Sequence, residues 1–235
     1  MEFMSKVAEA FQHGGIWMWP ILMIQIVSIA IIVERTYTLF VKRKTNQTEV
    51  VMGFEESIRR GEIGSVIEKA KSLEAQQPVA RAVLAGAKTA KVLGGKEEIQ
   101  GKMDEVLLHE NALIDRRTGF LTMLGNVATL MGLLGTITGM IQSFAAVAFA
   151  APAEKAALLA AGISEAMNCT AYGLIAAIPA LIMYAVLQNR ATLLAEDLNT
   201  AALKAFNWLS YSYEPAGFTS FRAGKGSEPN REANA

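Results

Sequence analysis

The sequence predicts an all-α integral membrane protein: three transmembrane helices with long cytoplasmic helical extensions. Three observations predict it. Only 19% of the 235 residues are charged and 52% are hydrophobic, against about 25% charged in an ordinary soluble domain. Residues 118–152 contain no Asp, Glu, Lys or Arg, and residues 156–189 contain only Glu165. Residues 16–33 form a third uncharged run. A bilayer core of about 30 Å needs about 20 apolar residues as helix, so each run can cross it once.

Residues 1–15 precede the first span, residues 16–40. Trp17 and Trp19 at its start and Tyr37 near its end stand where interfacial aromatics belong. The run is expected to be retained rather than cleaved as a leader. Ser28 and Ala30 faintly resemble a small-x-small cleavage site, but Ile31, Ile32 and Val33 carry the apolar run past it, and Lys6 is offset by Glu2 and Glu9.

Residues 41–117 hold 14 Lys or Arg and 12 Asp or Glu, a strongly solvated segment. Gly61, Gln76 to Pro78 and Gly94 to Gly95 punctuate it, and Val51, Phe54, Ile58, then Ile63, Ile67, Ala70 recur at helical spacing. Short amphipathic helices follow from that pattern. The longest, Lys96 to Arg117, carries Ile99, Met103, Val106, Leu113 and Ile114 on one side. No breaker precedes Thr118, so this helix is expected to run unbroken into the second span, residues 118–150. Residues 151–163 link it to the third span, residues 164–189, where Pro179 removes the donor to Ile175 and is expected to bend the helix. Residues 190–213 continue as helix through Leu193, Leu194, Leu198 and Leu203, and residues 214–235, rich in Gly, Ser, Pro and charge, read as a flexible tail.

Basic residues near the spans set the orientation. Arg35, Lys42, Arg43 and Lys44 follow the first span, Arg116 and Arg117 precede the second, and Arg190 follows the third. Those ends belong in the cytoplasm, with residues 41–117 between them. The amino terminus and the link, which hold only Lys6 and Lys155 as basic residues, belong outside.

Composition also excludes functions. Lys plus Arg is 22 and Asp plus Glu is 22, so no basic field draws in nucleic acid. One cysteine, Cys169, permits no intrachain disulfide, and His13 and His109 have no metal-ligand spacing. Gly94-Gly95-Lys96 lacks both the upstream glycine at position 90 and a following Ser or Thr, so it is no phosphate-binding P-loop. No nucleophile and base pair is visible. Neither an enzyme nor a cofactor or metal site is expected.

In the second span Thr118, Thr122, Gly125, Thr129, Gly132, Thr136, Gly139 and Ser143 follow one another at steps of four and three, which keeps them on one helical face. Every one is small or hydroxylated. The third span repeats the device with Ala166, Thr170, Gly173, Ala177, Ala180 and Tyr184. Small residues let membrane helices approach closely, and Gly135 with Gly139 forms a GxxxG pair. Four threonines in one stripe exceed what packing needs, so the stripes also suit a polar passage. Packing alone would make the chain a non-conducting membrane scaffold.

Glu165, just inside the outer end of the third span, is costly there and is a functional candidate; the plainer reading pairs it with Lys155 at headgroup level. Glu34, beside Arg35, reads as an interfacial anchor. Neither stripe holds an Asp, Lys or His that could cycle its protonation deep in the membrane. Protons crossing here would need a titratable group from a second protein.

The segments Gly132-Leu-Leu-Gly-Thr136-Ile-Thr-Gly139-Met-Ile-Gln-Ser143-Phe and Gly162-Ile-Ser-Glu165-Ala-Met-Asn-Cys-Thr170-Ala-Tyr-Gly-Leu-Ile-Ala-Ala-Ile-Pro179-Ala resemble the MotA/TolQ/ExbB proton-channel family. The three-span, N-out layout, the loop size, and Val-Glu-Arg35-Thr-Tyr-Thr-Leu at the end of the first span resemble the TolQ and ExbB branch rather than the four-span flagellar stators. The resemblance implies a homo-oligomeric ring, a pentamer, in the bacterial inner membrane. The ring would enclose one helix from each of two copies of an ExbD/TolR-like partner, which carries the missing aspartate. It places Thr136 and Thr170 at the two pore threonines and Glu165 at the pore-lining glutamate. Thr129, Gly132, Gly139, Ser143 and Gly173 are the secondary pore-face candidates. Asn168 and Cys169 stand where many relatives have small apolar residues. Ion flow would then drive rotation that energises envelope or outer-membrane processes.

Overall fold

The computed structural model describes residues 15–43, 46–92 and 95–212. The expectations for residues 1–14, Gly94 and the tail 214–235 lie outside the described residues. Among the described residues the chain is helical without strands, and three helical stretches are long and apolar enough to cross a membrane. The protein is a multi-pass membrane protein. In chain order the helices are α1 (Met18–Thr36), a π-helical turn (Tyr37–Lys42), α2 (Gln47–Arg59), α3 (Ile63–Leu73), α4 (Pro78–Val92), α5 (Lys96–Asp115), α6 (Gly119–Phe149) and α7 (Lys155–Ser212).

They form two compact units. Unit one holds α1, the π-helical turn, α6 and α7 as far as Thr192. α1 buries Met18, Ile21, Ser28 and Arg35 on one face while Ile26, Ile29 and Val33 stay exposed. Met18 and Ile21 pack with Ala128 of α6 and Cys169, Tyr172 and Ala176 of α7, which joins all three spans in one core. Tyr172 donates from its hydroxyl to Gln25 Oε1 at 2.5 Å across that core. The opposite faces expose Leu130, Ile137 and Ile141 of α6 and Ile175, Ile178 and Ile182 of α7. Apolar surface on that scale suits lipid or a partner helix.

The structure corrects one expectation. The helix beginning at Lys96 ends at Asp115, and α6 starts anew at Gly119. Arg117 between them takes φ 65°, the left-handed region, at a cost of roughly 1–2 kcal/mol for a residue with a Cβ. No Gly or Pro marks that break. What accompanies it is a tertiary contact: Arg117 Nη1 donates to both carboxylate oxygens of Glu34, at 2.6 and 2.7 Å.

The helix that contains the third span begins before residue 164. α7 begins at Lys155, so residues 155–163 of the link are helical, and the helix passes through Pro179 and Arg190 to Ser212 without interruption. Lys155 and Glu165 therefore sit on one helix, ten residues and about 15 Å apart along its axis, too far to pair.

Unit two holds α2, α3, α4, α5 up to Ile114 and the second half of α7 from Leu193. α2 buries Val51, Phe54 and Ile58, as its spacing requires. It ends in a Schellman motif: Gly61 (φ 73°) donates to Ile58 O and Glu62 to Ser57 O, each at 3.0 Å. α3 buries Ile63, Val66 and Ala70, with Ile67 half-buried beside them. α4 is buried on most of its surface, through Val79, Ala80, Ala82, Val83, Leu84, Gly86, Ala87 and Ala90. A Cβ on Gly86 would stand 2.6 Å from Met103 Sδ and 3.1 Å from Leu209 Cδ1, so α4 sits close against its neighbours.

Two polar devices fasten unit two. Asp197 of α7 accepts from Gln47 N (2.8 Å) and Thr48 Oγ1 (2.7 Å), capping α2 from 150 residues away in sequence. Gln47 passes the bond on, its Oε1 accepting from Val79 N at 3.1 Å near the start of α4. Glu110, 1% exposed on the buried side of α5, pairs with Arg81 of α4 at 2.5 Å. A groove of about 470 Å³ lies between α5 and the second half of α7, lined by Met103, Leu107, Leu203 and Phe206 among others.

Candidate functional site: a hydroxyl pair between two membrane helices

The two small-residue stripes face each other inside unit one. A Cβ on Gly132 would lie 3.2 Å from both Cys169 O and Thr170 Cα, and one on Gly173 would lie 2.8 Å from Ala128 O and 3.1 Å from Gly132 Cα. Gly139 meets Ala166, with 3.0 Å left for a Cβ, and a Cβ on Gly162 would strike Ser143 Oγ. Gly135 faces the Cys169 side chain instead. The glycines are therefore packing residues: their missing side chains let the α6 and α7 backbones touch.

Most hydroxyls of the stripe bond to the preceding turn of their own helix. Thr129 donates to Gly125 O (3.1 Å), Thr136 to Leu133 O (2.6 Å) and Ser143 to Gly139 O (2.7 Å). Back-bonding of this kind satisfies a hydroxyl where no water reaches.

Thr170 differs. Its Oγ1 reaches across to Gly132 O at 2.9 Å and lies 3.3 Å from Thr136 Oγ1, the one hydroxyl pair bridging α6 and α7 among the described residues. The proton count is informative. Thr136 commits its proton to Leu133 O, and Thr170 has one proton for two acceptors. Neither hydroxyl has a proton left over, and the pair retains free lone pairs. Thr136 and Thr170 are half-exposed, so a visiting group can reach them. The pair is a net acceptor, suited to water or to a protonated carboxylic acid and unsuited to an ionised carboxylate.

Glu165 is placed differently. Five residues before Thr170, it stands about 140° around α7 from it. Its carboxylate lies against Gly15, where a Cβ would strike Glu165 Oε1, and Gly15 itself takes φ 68°. The structure thus brings Thr136, Thr170, Gly132 and Gly173 together, sets Gly139 and Ser143 further along the same seam, leaves Thr129 exposed on α6, and puts Glu165 beside the start of the first span.

Polar amides in the spans also escaped the stripe argument, among them Asn126, exposed on α6 in a charge-free run, and Gln25, which meets Tyr172. An amide in an apolar stretch is the signal that marks them.

The model of the MotA/TolQ/ExbB proton channel family matches residues 74–200, more than half of the chain. The Pseudomonas putida biopolymer transport protein ExbB is 35% identical over 100 residues, 43% of this chain and 30% of that protein. The Haemophilus influenzae Tol-Pal system protein TolQ is 35% identical over 95 residues, 40% and 41% of the two chains. A putative ExbB homologue of Methanothermobacter thermautotrophicus is 25% identical over 191 residues, 81% and 66% of the two chains. The chain thus spans about a third of the P. putida relative's length and under half of TolQ's. With more than half its length matched by the family model and its seam falling inside that match, the chain belongs to the MotA/TolQ/ExbB proton channel family, on the ExbB/TolQ-like side.

Proposed function

We propose that this chain is the channel-forming subunit of an inner-membrane complex that converts proton flow into mechanical work. Five copies form a ring around one helix from each of two ExbD/TolR-like partner chains, whose aspartate supplies the titratable group absent from the stripes. The amino terminus and the link around Pro152 lie outside, and residues 41–117 and 190–213 lie in the cytoplasm. The family is one of channel subunits, not enzymes.

The observation that carries this reading is the Thr136–Thr170 pair, two hydroxyls 3.3 Å apart with acceptor capacity to spare. A partner aspartic acid protonated from outside can donate to that pair. Once it loses its proton inward the carboxylate finds no donor there, and it moves on past one subunit. Repetition around the ring is rotation. One elementary charge falling through about 100 mV supplies about 2.3 kcal/mol, enough for such a step. Glu165, toward the outer end of the third span, collects the cation first; Thr129, Gly132, Gly139, Ser143 and Gly173 shape the seam.

The second reading is a non-conducting scaffold, and the tight glycine contacts along the seam favour it. Proteoliposomes decide between them. The chain reconstituted with its co-purifying partner should carry proton flux under an imposed potential, and the chain alone should not. No flux in either preparation, with the complex intact by size, would leave the scaffold.

A further inference from the structure

Hydroxyls in unit one fall into two groups. Along α6 from Thr129 onward they bond to their own helix: Thr129, Thr136, Thr138 and Ser143 each donate to a carbonyl three or four residues back. Toward the other end the buried hydroxyls do not. Ser28 Oγ and Thr36 Oγ1 of α1, Thr118 Oγ1 at the cap of α6 and Thr122 Oγ1 in its first turns are buried without a hydrogen-bond partner among the described residues. Ser28 is 3% exposed and Thr118 0%.

Two contacts fix the depth of this group. Glu34 pairs with Arg117, and a Cβ on Gly135 would stand 3.6 Å from Trp17 Cβ, so α1 and α6 run antiparallel in a defined register. At 1.5 Å per residue, all four hydroxyls lie within about 10 Å of the Glu34–Arg117 contact along the axis. Ser28 falls within one turn of Thr122 in depth, and Thr36 within one turn of Thr118. Arg190 Nε is a buried donor, likewise without a hydrogen-bond partner; two residues before it, Gln188 donates to Asp115 Oδ1 at 3.1 Å. On α6, Thr136, Thr129 and Thr122 follow one another at steps of seven residues, about 10.5 Å each and nearly on one face. Thr129 is exposed between them.

A hydroxyl buried without a partner is unfavourable, and a water with two to four polar neighbours satisfies it. A hydroxyl also both donates and accepts. Each can take a proton from the water on one side while giving its own to the water on the other, so a file of them passes a proton and keeps no charge. We propose that Ser28, Thr122, Thr118 and Thr36 hold a file of ordered water, and that this file, entered at Thr129, carries the proton released at the Thr136–Thr170 pair to the Arg117 end of unit one. The relay rests on the function proposed above; the hydration does not.

Two measurements on the same variants test it: thermal unfolding of the full-length chain in neutral detergent, and proton flux of its complex with the co-purifying partner in proteoliposomes. Exchanging a dry, orphaned hydroxyl for a methyl would leave the unfolding temperature unchanged or raise it. A hydroxyl that holds water loses a hydrogen bond instead, so Thr118→Val and Thr122→Val should each unfold about 2–4 °C below the parent. Thr118 makes no capping bond, so its variant loses no cap. Thr122→Val should also lower flux by at least about threefold, with Thr122→Ser recovering most of it. Thr138→Val, on the back-bonded stretch, should conduct as the parent does. Ser28→Ala supplies the same two measurements from α1 if a valine variant misfolds. Unfolding at or above the parent's temperature in both valine variants would overturn the water file. Parent-level flux in Thr122→Val, or an equal loss in Thr138→Val, would overturn the relay and leave the channel standing. No flux in the parent would overturn the channel, and the relay with it.

Discussion

Replacing Thr170 with Val exchanges one hydroxyl for a methyl of nearly the same volume, and so separates conduction from folding. The bond to Gly132 O (2.9 Å) and the approach to Thr136 Oγ1 (3.3 Å) share a single proton, so only one hydrogen bond is lost. Thr136 keeps its bond to Leu133 O at 2.6 Å, and Gly132 O keeps the N–H of its own helix. No buried group is orphaned. Interhelical hydrogen bonds in membranes average about 0.6 kcal/mol, which in a chain of this size shifts the unfolding temperature by roughly 1–3 °C. The acceptor site, by contrast, loses the hydroxyl that bridges the two helices. Proton flux in proteoliposomes with the partner should fall by at least about tenfold, the equivalent of 1.4 kcal/mol in the barrier. Thr170→Ser should recover most of it. Parent-level flux in the Val variant, at an unchanged unfolding temperature, would refute the role of the hydroxyl pair.

Other expectations concern packing and capping. Gly173→Ala drives a methyl against Ala128 O and Gly132 Cα, backbone atoms that cannot yield cheaply, and should cost about 1–3 kcal/mol in thermal unfolding. Gly101→Ala in α5 meets nothing within 4 Å and should stabilise by roughly 0.5–1 kcal/mol. Arg81→Met takes the ion pair from the buried Glu110 carboxylate and should cost more in denaturation than Glu110→Met, which leaves an arginine that is 40% exposed; equal losses would contradict the assignment of the buried member. Asp197→Ala should cost about 1–2 kcal/mol, with hydrogen exchange rising first at the start of α2.

Much of the seam was legible without coordinates. The 4-3 spacing of Thr129, Gly132, Thr136 and Gly139 puts them on one face because the helix repeats every 3.6 residues. Which helix that face meets is not contained in the spacing. Only the packing of α6 against α7 separates the roles inside the stripe: Gly132 and Gly173 are filled by backbone, Ser143 bonds its own turn, and Thr170 alone reaches across. Glu165 shows the converse. Its sequence position beside Thr170 suggests a shared site, and five helical residues carry it to another side of α7.

The sequence by itself determined the three spans, because charge cannot be left in hydrocarbon and its absence over about 20 residues is a long-range, unambiguous signal. It determined the amphipathic faces of α2 and α3 for the same reason of periodicity. The break at Arg117, the burial of Glu110 and the capping of α2 by Asp197 were decided by tertiary structure alone. Each comes with a partner distant in sequence, Glu34, Arg81 or Gln47, and no local pattern records where such a partner will stand.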